Sequence, residues 1–241
     1  MPQSFFIWNN IDCRAMGITL TGPAALIRPE ERVNHVQIPG VSGDLTQVEG
    51  DAIYNSYIQT VGFSVKDGQR VGKVYEWLRG GGYVTFSGDP GMKQKARIIG
   101  AVTLNKVSRN LDRWQGEVQF YCQPLKEKII PEDTVTVIGG DGAVVVPVRN
   151  NGAVDALPKW VVTPSAETVT VSAGGKSLTM IGRTVGTKFT IDSEIMEVIN
   201  ISGKLRTNKA SGDFPILKPG NNEIGGSGWS EIVITKRERY L

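Results

Sequence analysis

The sequence predicts an all-β chain with one helix, arranged as two domains, and three observations carry that prediction. Short runs rich in Val, Ile, Thr and aromatic residues recur between Gly, Pro and Asn clusters along the whole length. Gly 29 and Pro 12 are high together for a helical protein and suit many turns. Only one stretch has helical spacing. At 241 residues the chain has room for two domains of ordinary size, each able to bury a core.

Phe5-Phe6-Ile7-Trp8-Asn9-Asn10-Ile11-Asp12 reads as an apolar strand broken by an Asn-Asn turn, and Gly17-Ile18-Thr19-Leu20 resumes before Thr21-Gly22-Pro23. Val33, His35 and Gln37 alternate with Val36 and Ile38 on a strand that Pro39-Gly40 ends. Residues 40–53 form a long polar excursion, either a loop or the tip of an extended hairpin. Such excursions inside compact domains tend to be functional. Tyr54–Val65 returns as a strand, with Val61, Phe63 and Val65 on one face.

A helix is predicted over 68–79. The Asp67 carboxylate can accept from free N–H groups of the first turn. Val71, Val74, Tyr75 and Leu78 then fall at i, i+3, i+4 and i+7. Gly80-Gly81-Gly82 ends the helix because glycine enters a left-handed cap without steric cost. Strands follow at Tyr83–Phe86, Ala96–Leu104 and Trp114–Cys122.

A change of texture at Gln123–Lys128 divides a domain 1–130 from a domain 131–241. In the second, strands are expected at Thr134–Ile138, Ala143–Val148, Lys159–Thr163, Thr168–Ser172, Ser177–Ile181, Thr187–Ile191, Ile195–Ile199 and Trp229–Ile234. Strands at this spacing with no helical period argue for a β-sandwich.

No apolar run approaches the roughly 20 residues that a membrane helix needs. Met1-Pro2-Gln3-Ser4-Phe5 has neither a basic n-region nor a cleavage site, so synthesis and initial retention in the cytoplasm are expected. The net charge is +3, from 15 basic and 12 acidic residues in 1–130 and 12 of each in 131–241. Bases are interleaved with acids, as at Glu30-Glu31-Arg32, whereas phosphate-backbone binding needs them clustered. No sequence-specific nucleic-acid partner is expected. Cys13 and Cys122 stand far apart without metal-ligand spacing and are expected to be reduced thiols.

Motifs for catalysis are sparse. His35 is the only histidine, and its strand context favours a surface position over a base. Ser42 in Gly40-Val41-Ser42-Gly43 lacks nucleophile-elbow spacing. Gly80–Gly82 and Gly225-Gly226-Ser227-Gly228 lack the strand–loop–helix setting of a dinucleotide loop, and read as a helix cap and a hairpin turn. Asp192 and Glu194 could form an acid–base pair, but a turn explains them equally well. Trp160 and Trp229 could stack on sugars, or fill a core. No catalytic residue, metal or cofactor is assigned.

The ordered set of short motifs resembles the distal tail proteins of long-tailed bacteriophages. In the first half these are Phe6-x-Trp8-Asn9-x-Ile11-Asp12, Gly17-Ile18, Arg28-Pro29-Glu30-Glu31-Arg32 and Ile38-Pro39-Gly40-Val41-Ser42-Gly43-Asp44-Leu45. Trp77-Leu78-Arg79-Gly80, Phe86-Ser87-Gly88-Asp89-Pro90 and Trp114 leading to Phe120-Tyr121-Cys122-Gln123-Pro124 continue the series. In the second half come Asn150-Asn151-Gly152, Ile191-Asp192-Ser193-Glu194, Phe214-Pro215-x-Leu217-x-Pro219-Gly220-Asn221-Asn222 and Arg237-x-Arg239-Tyr240-Leu241.

The resemblance implies an N-terminal domain related in fold to tube proteins and a C-terminal galectin-like sandwich. It implies a ring, usually a hexamer, at the tail tip, joining the tube protein to the tip or receptor-binding assembly. A galectin-type sugar site would need a histidine beside a tryptophan, and no histidine follows residue 35, so sugar binding is not carried over. The alternative is a carbohydrate-binding adhesin of the tail tip. A ring repeats one head-to-tail contact, and the 40–53 excursion with its flanks is the expected arm: Gly40, Val41, Gly43, Leu45, Val48, Tyr54 and Tyr57.

Overall fold

The computed structural model describes residues 4–48, 50, 53–130, 134–139 and 146–241. The chain divides into two compact units, Met1–Ile129 with Leu241, and Ile130–Tyr240. Among the described residues it is all-β with a single α-helix.

In the first unit β1 (Phe6–Trp8) and β2 (Ile11–Asp12) form a tight hairpin. Asn9 and Asn10 both have positive φ, +50° and +65°, as the two central residues of a type I′ turn require. After β3 (Ile18–Leu20), β4 (Val33–Gln37) and β5 (Asp44–Val48) come β6 (Tyr57–Val65), the helix α1 (Val71–Trp77), β7 (Gly81–Phe86), β8 (Met92–Ser108) and β9 (Leu111–Lys128). Seven strands join in one antiparallel sheet, in the order β2-β1-β7-β8-β9-β6-β3.

That sheet closes over its own core. In a flat sheet β1 and β9, three steps apart, would be separated by about 14 Å. Instead the Phe120 ring on β9 lies 5.4 Å from Phe6 and 5.5 Å from Trp8 on β1. Register shifts along β8–β9, between Gln94 and Ala96, Ile99 and Thr103, and Lys106 and Ser108, supply the bend. Val61, Phe63 and Val65 are all buried, as their alternation predicts.

The helix begins with a 3₁₀ turn, Gly68–Arg70, where Asp67 accepts from the Gln69 N–H at 3.0 Å. Val74 and Leu78 are buried. Tyr75 is not, and its hydroxyl accepts from the Leu104 N–H at 3.2 Å. Trp77 seals the helix to the sheet, its ring stacked on Phe6 at 5.6 Å. Cys13 and Cys122 are both free and buried, and burial pushes the Cys122 thiol up to about 12.

The second unit is a sandwich of two antiparallel five-stranded sheets. One contains β10 (Val135–Ile138), β12 (Lys159–Pro164), β15 (Phe189–Asp192), β16 (Glu197–Asn200) and β19 (Trp229–Thr235), in the order β10-β19-β12-β15-β16. The other contains β11 (Val146–Asn150), β13 (Val169–Ala173), β14 (Lys176–Met180), β17 (Ala210–Gly212) and β18 (Gly220–Ser227), in the order β11-β18-β13-β14-β17. Trp160, Val162, Phe189 and Ile232 from the first meet Val171, Leu178, Met180 and Ile224 from the second in one core. Of the expected strand Ala143–Val148, residues 143–145 lie outside the described residues.

The expected turn at Gly225–Gly228 is corrected. Gly225 and Gly226 lie inside β18, paired with Ser172 and Val171, and only Gly228 sits between β18 and β19. Gly226 has φ +129°, and a Cβ there would be driven into the Thr170 carbonyl oxygen, which already accepts from the Trp229 indole at 3.1 Å. Gly226→Ala should therefore cost about 2 kcal/mol in urea denaturation. An unchanged midpoint would contradict this placement.

Candidate subunit-contact arm

The chain from Glu30 to Asn55 leaves the sheet and returns. At its root the Arg32 N–H donates to the Ile53 carbonyl and the Asn55 N–H to the Glu30 carbonyl, both at 2.8 Å. Glu31 bridges Tyr54, and Arg32 Nε donates to Asn55 Oδ1 at 3.2 Å. Beyond the root β4 pairs with β5 as a separate two-stranded ribbon, from Val33 opposite Val48 to Gln37 opposite Asp44. Of the two readings left open for residues 40–53, the tip and returning strand of a hairpin is the one observed. Glu49, Asp51 and Ala52 lie outside the described residues.

The tip is made by Pro39-Gly40. The Val41 N–H donates to the Ile38 carbonyl at 3.2 Å and Gly40 has φ +81°, the arrangement of a type II turn with Pro second and Gly third. Gly43 also has positive φ. Val41, Leu45 and Val48 are exposed, Val41 at 61% and Leu45 at 56%. Tyr54 stands at the root. Tyr57 opens β6 in the main sheet, its hydroxyl donating to Gln94 Oε1 at 3.0 Å, so it belongs to the body from which the arm springs.

Val36 and Ile38, which sequence reasoning did not place on the arm, add two more exposed apolar side chains. Val36 faces Leu45 across one side of the ribbon and Val33 faces Val48 across the other. No described residue of β4 or β5 is buried. A lone two-stranded hairpin is marginal in water, and contiguous exposed apolar side chains mark contact surfaces. The ribbon carries apolar groups on both sides, and its two strands pair with no other strand among the described residues.

The residues weighed for chemistry have structural places. His35 is exposed on β4 opposite Thr46, and Ser42 lies at the arm tip. Trp160 is fully buried, its indole N–H donating to Ser193 Oγ at 3.0 Å, while Ser193 donates to the Pro215 carbonyl at 2.7 Å. Trp229 is buried as well, so neither ring is open to a sugar. Asp192 is held by the Arg237 fork at 2.6 and 2.9 Å, and Glu194 meets Arg237 and Arg239 at 3.2 and 2.9 Å. Burial would raise the Asp192 carboxyl, but Arg237 outweighs it and the pKa is lowered, which suits a structural anion. No cluster of three or more metal-ligating side chains occurs among the described residues. No helix among them is long and apolar enough to cross a membrane.

Glu238 adds to the pH dependence of this end of the chain. Its carboxylate is buried and accepts from Lys236 at 2.6 Å, Tyr240 at 2.5 Å and the Asn151 N–H at 3.0 Å. Burial opposes the charge, but these donors overcome it and hold the pKa at about 2, below the usual 4.5. A depressed carboxyl contributes stability that is present above its unfolded pKa and lost as pH falls through the folded one. The second unit should lose stability between about pH 4.5 and 2. Glu238→Gln should reduce that acid slope, leaving the part that Asp192 contributes, and cost on the order of 2 kcal/mol at neutral pH. Denaturation midpoints across this range, with parallel slopes in both proteins, would refute the assignment.

No family model and no curated protein matches the chain. Among solved structures it resembles a chain of the phage p2 baseplate in its activated conformation with Sr, at 8% identity and TM-score 0.46, over 97% of this chain and 98% of that one. It also resembles the Dit protein (gp 19.1) of SPP1, described as a paradigm of hub adsorption apparatus in phages infecting Gram-positive hosts. With that protein it shares 18% identity and 100% coverage of both chains, and the TM-score of 0.78 shows that the two have the same fold from end to end.

Proposed function

We propose that this chain is a structural hub at the distal end of a phage tail, where copies close into a ring. The observation that carries the reading is the full-length likeness in fold to SPP1 Dit, itself a hub protein. The exposed arm supports it independently, because a closed ring needs every copy to offer a donor segment to its neighbour. In this reading the ring is a hexamer built by residues 1–130, with the arm lying on the adjacent subunit. It meets the tail tube protein on one side and the tip or receptor-binding assembly on the other. Residues 131–241, a galectin-like sandwich, face outward. The protein works by assembly and not by catalysis. It is made in the host cytoplasm and ends at the virion tail tip.

Immunogold labelling of intact particles tests this directly. Label should sit at the end of the tail farthest from the capsid. Label spread along the tail or on the capsid would overturn the proposal.

A further inference from the structure

The turn between β14 and β15, with the end of β16 and the 3₁₀ turn Thr207–Lys209, encloses a cleft of about 330 Å³ in the second unit. Four cations line it: Arg183, Lys188, Arg206 and Lys209, with Thr184 and Thr187 between them. Lys188 is balanced by Glu231 at 3.1 Å. The other three have no acidic partner among the described residues. Some cations elsewhere are paired with acids, as Arg14 is with Asp12, Lys93 with Glu127 and Arg239 with Glu194; here three without such a partner line one cleft.

Arg183 is the least satisfied. Its guanidinium lies over the Phe189 ring at 5.1 Å, and its Nε is buried without a hydrogen-bond acceptor. Buried donors are nearly always paired, so an orphan of this kind marks a place for an acceptor. Burial and the neighbouring charge of Arg206 both push the Arg183 pKa down, so these two cations repel one another. An anion entering the cleft removes that repulsion.

The geometry points to a phosphate-binding site formed by Arg183, Arg206 and Lys209, with the Thr184 and Thr187 hydroxyls as further donors. Two guanidinium forks and an ammonium suit a tetrahedral group with several acceptor oxygens better than a single carboxylate. This site lies outside the arm and stands whether or not the chain forms a ring.

The full chain is titrated by calorimetry with inorganic phosphate and, separately, with dimethyl phosphate, against sodium chloride and sodium acetate at matched ionic strength. Saturable phosphate binding is expected, weakened at least tenfold in the Arg206→Gln/Lys209→Gln double variant. Binding of inorganic phosphate alone assigns a free-anion site, and binding of both assigns a site that also takes phosphate within a polymer. Chemical-shift mapping of the unsubstituted chain does not depend on how the variant folds, and perturbations centred on residues 182–209 are expected. Acetate binding as tightly as phosphate, no saturable binding of phosphate, unchanged affinity in a folded double variant, or shifts centred elsewhere would each overturn the proposal.

Discussion

A chain carrying Val36→Asp and Leu45→Asp is expected to fold as the parent does and to remain monomeric. The two side chains face one another across the β4–β5 ribbon, and both are exposed within the subunit. Neither contributes to either core. Their replacement sets like charges opposite one another, which costs the ribbon about 0.2–1 kcal/mol. It should leave the unfolding free energy of either core within about 0.5 kcal/mol of the parent. In a ring each would be covered by the next subunit, where a buried apolar side chain of this size is worth roughly 1.5–3 kcal/mol. Two carboxylates in their place lose that term and add a desolvation penalty. A loss of at least about 3 kcal/mol per contact weakens association more than 100-fold. Since a closed ring uses every contact, assembly should disappear. Deleting residues 42–51 should have the same outcome. Rings that persist in either variant would show that the arm is not the donor.

Trp160→Ala carries the largest expected penalty within the subunit. Trp160 sits on β12, the central strand of its sheet, with no exposed surface. Truncation removes the indole from a closed core and opens a cavity that flanking strands cannot fill, which typically costs about 3–5 kcal/mol. It also takes away the N–H donor to Ser193, whose hydroxyl holds the Pro215 carbonyl. Trp160→Phe keeps most of the volume and loses the hydrogen bond, so a smaller penalty of about 1 kcal/mol is expected beyond the packing change. Because the chain has two compact units, urea unfolding should be followed by probes in each, with the change confined to the unit of residues 130–240. A Trp160→Ala protein of parental stability would mean that the indole is not core.

Much of this fold was legible because burial imposes a period on the sequence. Val61, Phe63 and Val65 alternate since one face of β6 is buried. Asn9-Asn10 announced its turn, since these residues tolerate positive φ. Asp67 and the Val74/Leu78 spacing located the helix. The readable signal fails where no core imposes it. Asp44-Leu45-Thr46-Gln47-Val48 forms a strand with no buried face, so its sequence reads as polar loop. The long hairpin of β8 and β9 was read only in its middle: towards Ser108 and Leu111 both strands leave the core, and at the other end Gln123–Lys128, read as a domain boundary, continues β9. At β18 close backbone approach demanded glycine, and glycine reads as turn. Pairings such as Arg237 with Asp192 and Glu238 with Asn151 join residues 45 and 87 positions apart. Nothing local in the sequence announces them. The cleft around Arg183 is of the same kind: its cations come from separate turns, and their convergence on one cleft appears only once the strands are placed.

Native mass spectrometry of the purified chain, side by side with the Val36→Asp/Leu45→Asp variant, is the most direct test of ring closure through the arm. The account predicts one discrete closed oligomer for the parent, with six copies, and a monomer for the variant. A parent that stays monomeric at every concentration, or a variant that assembles as the parent does, would contradict it.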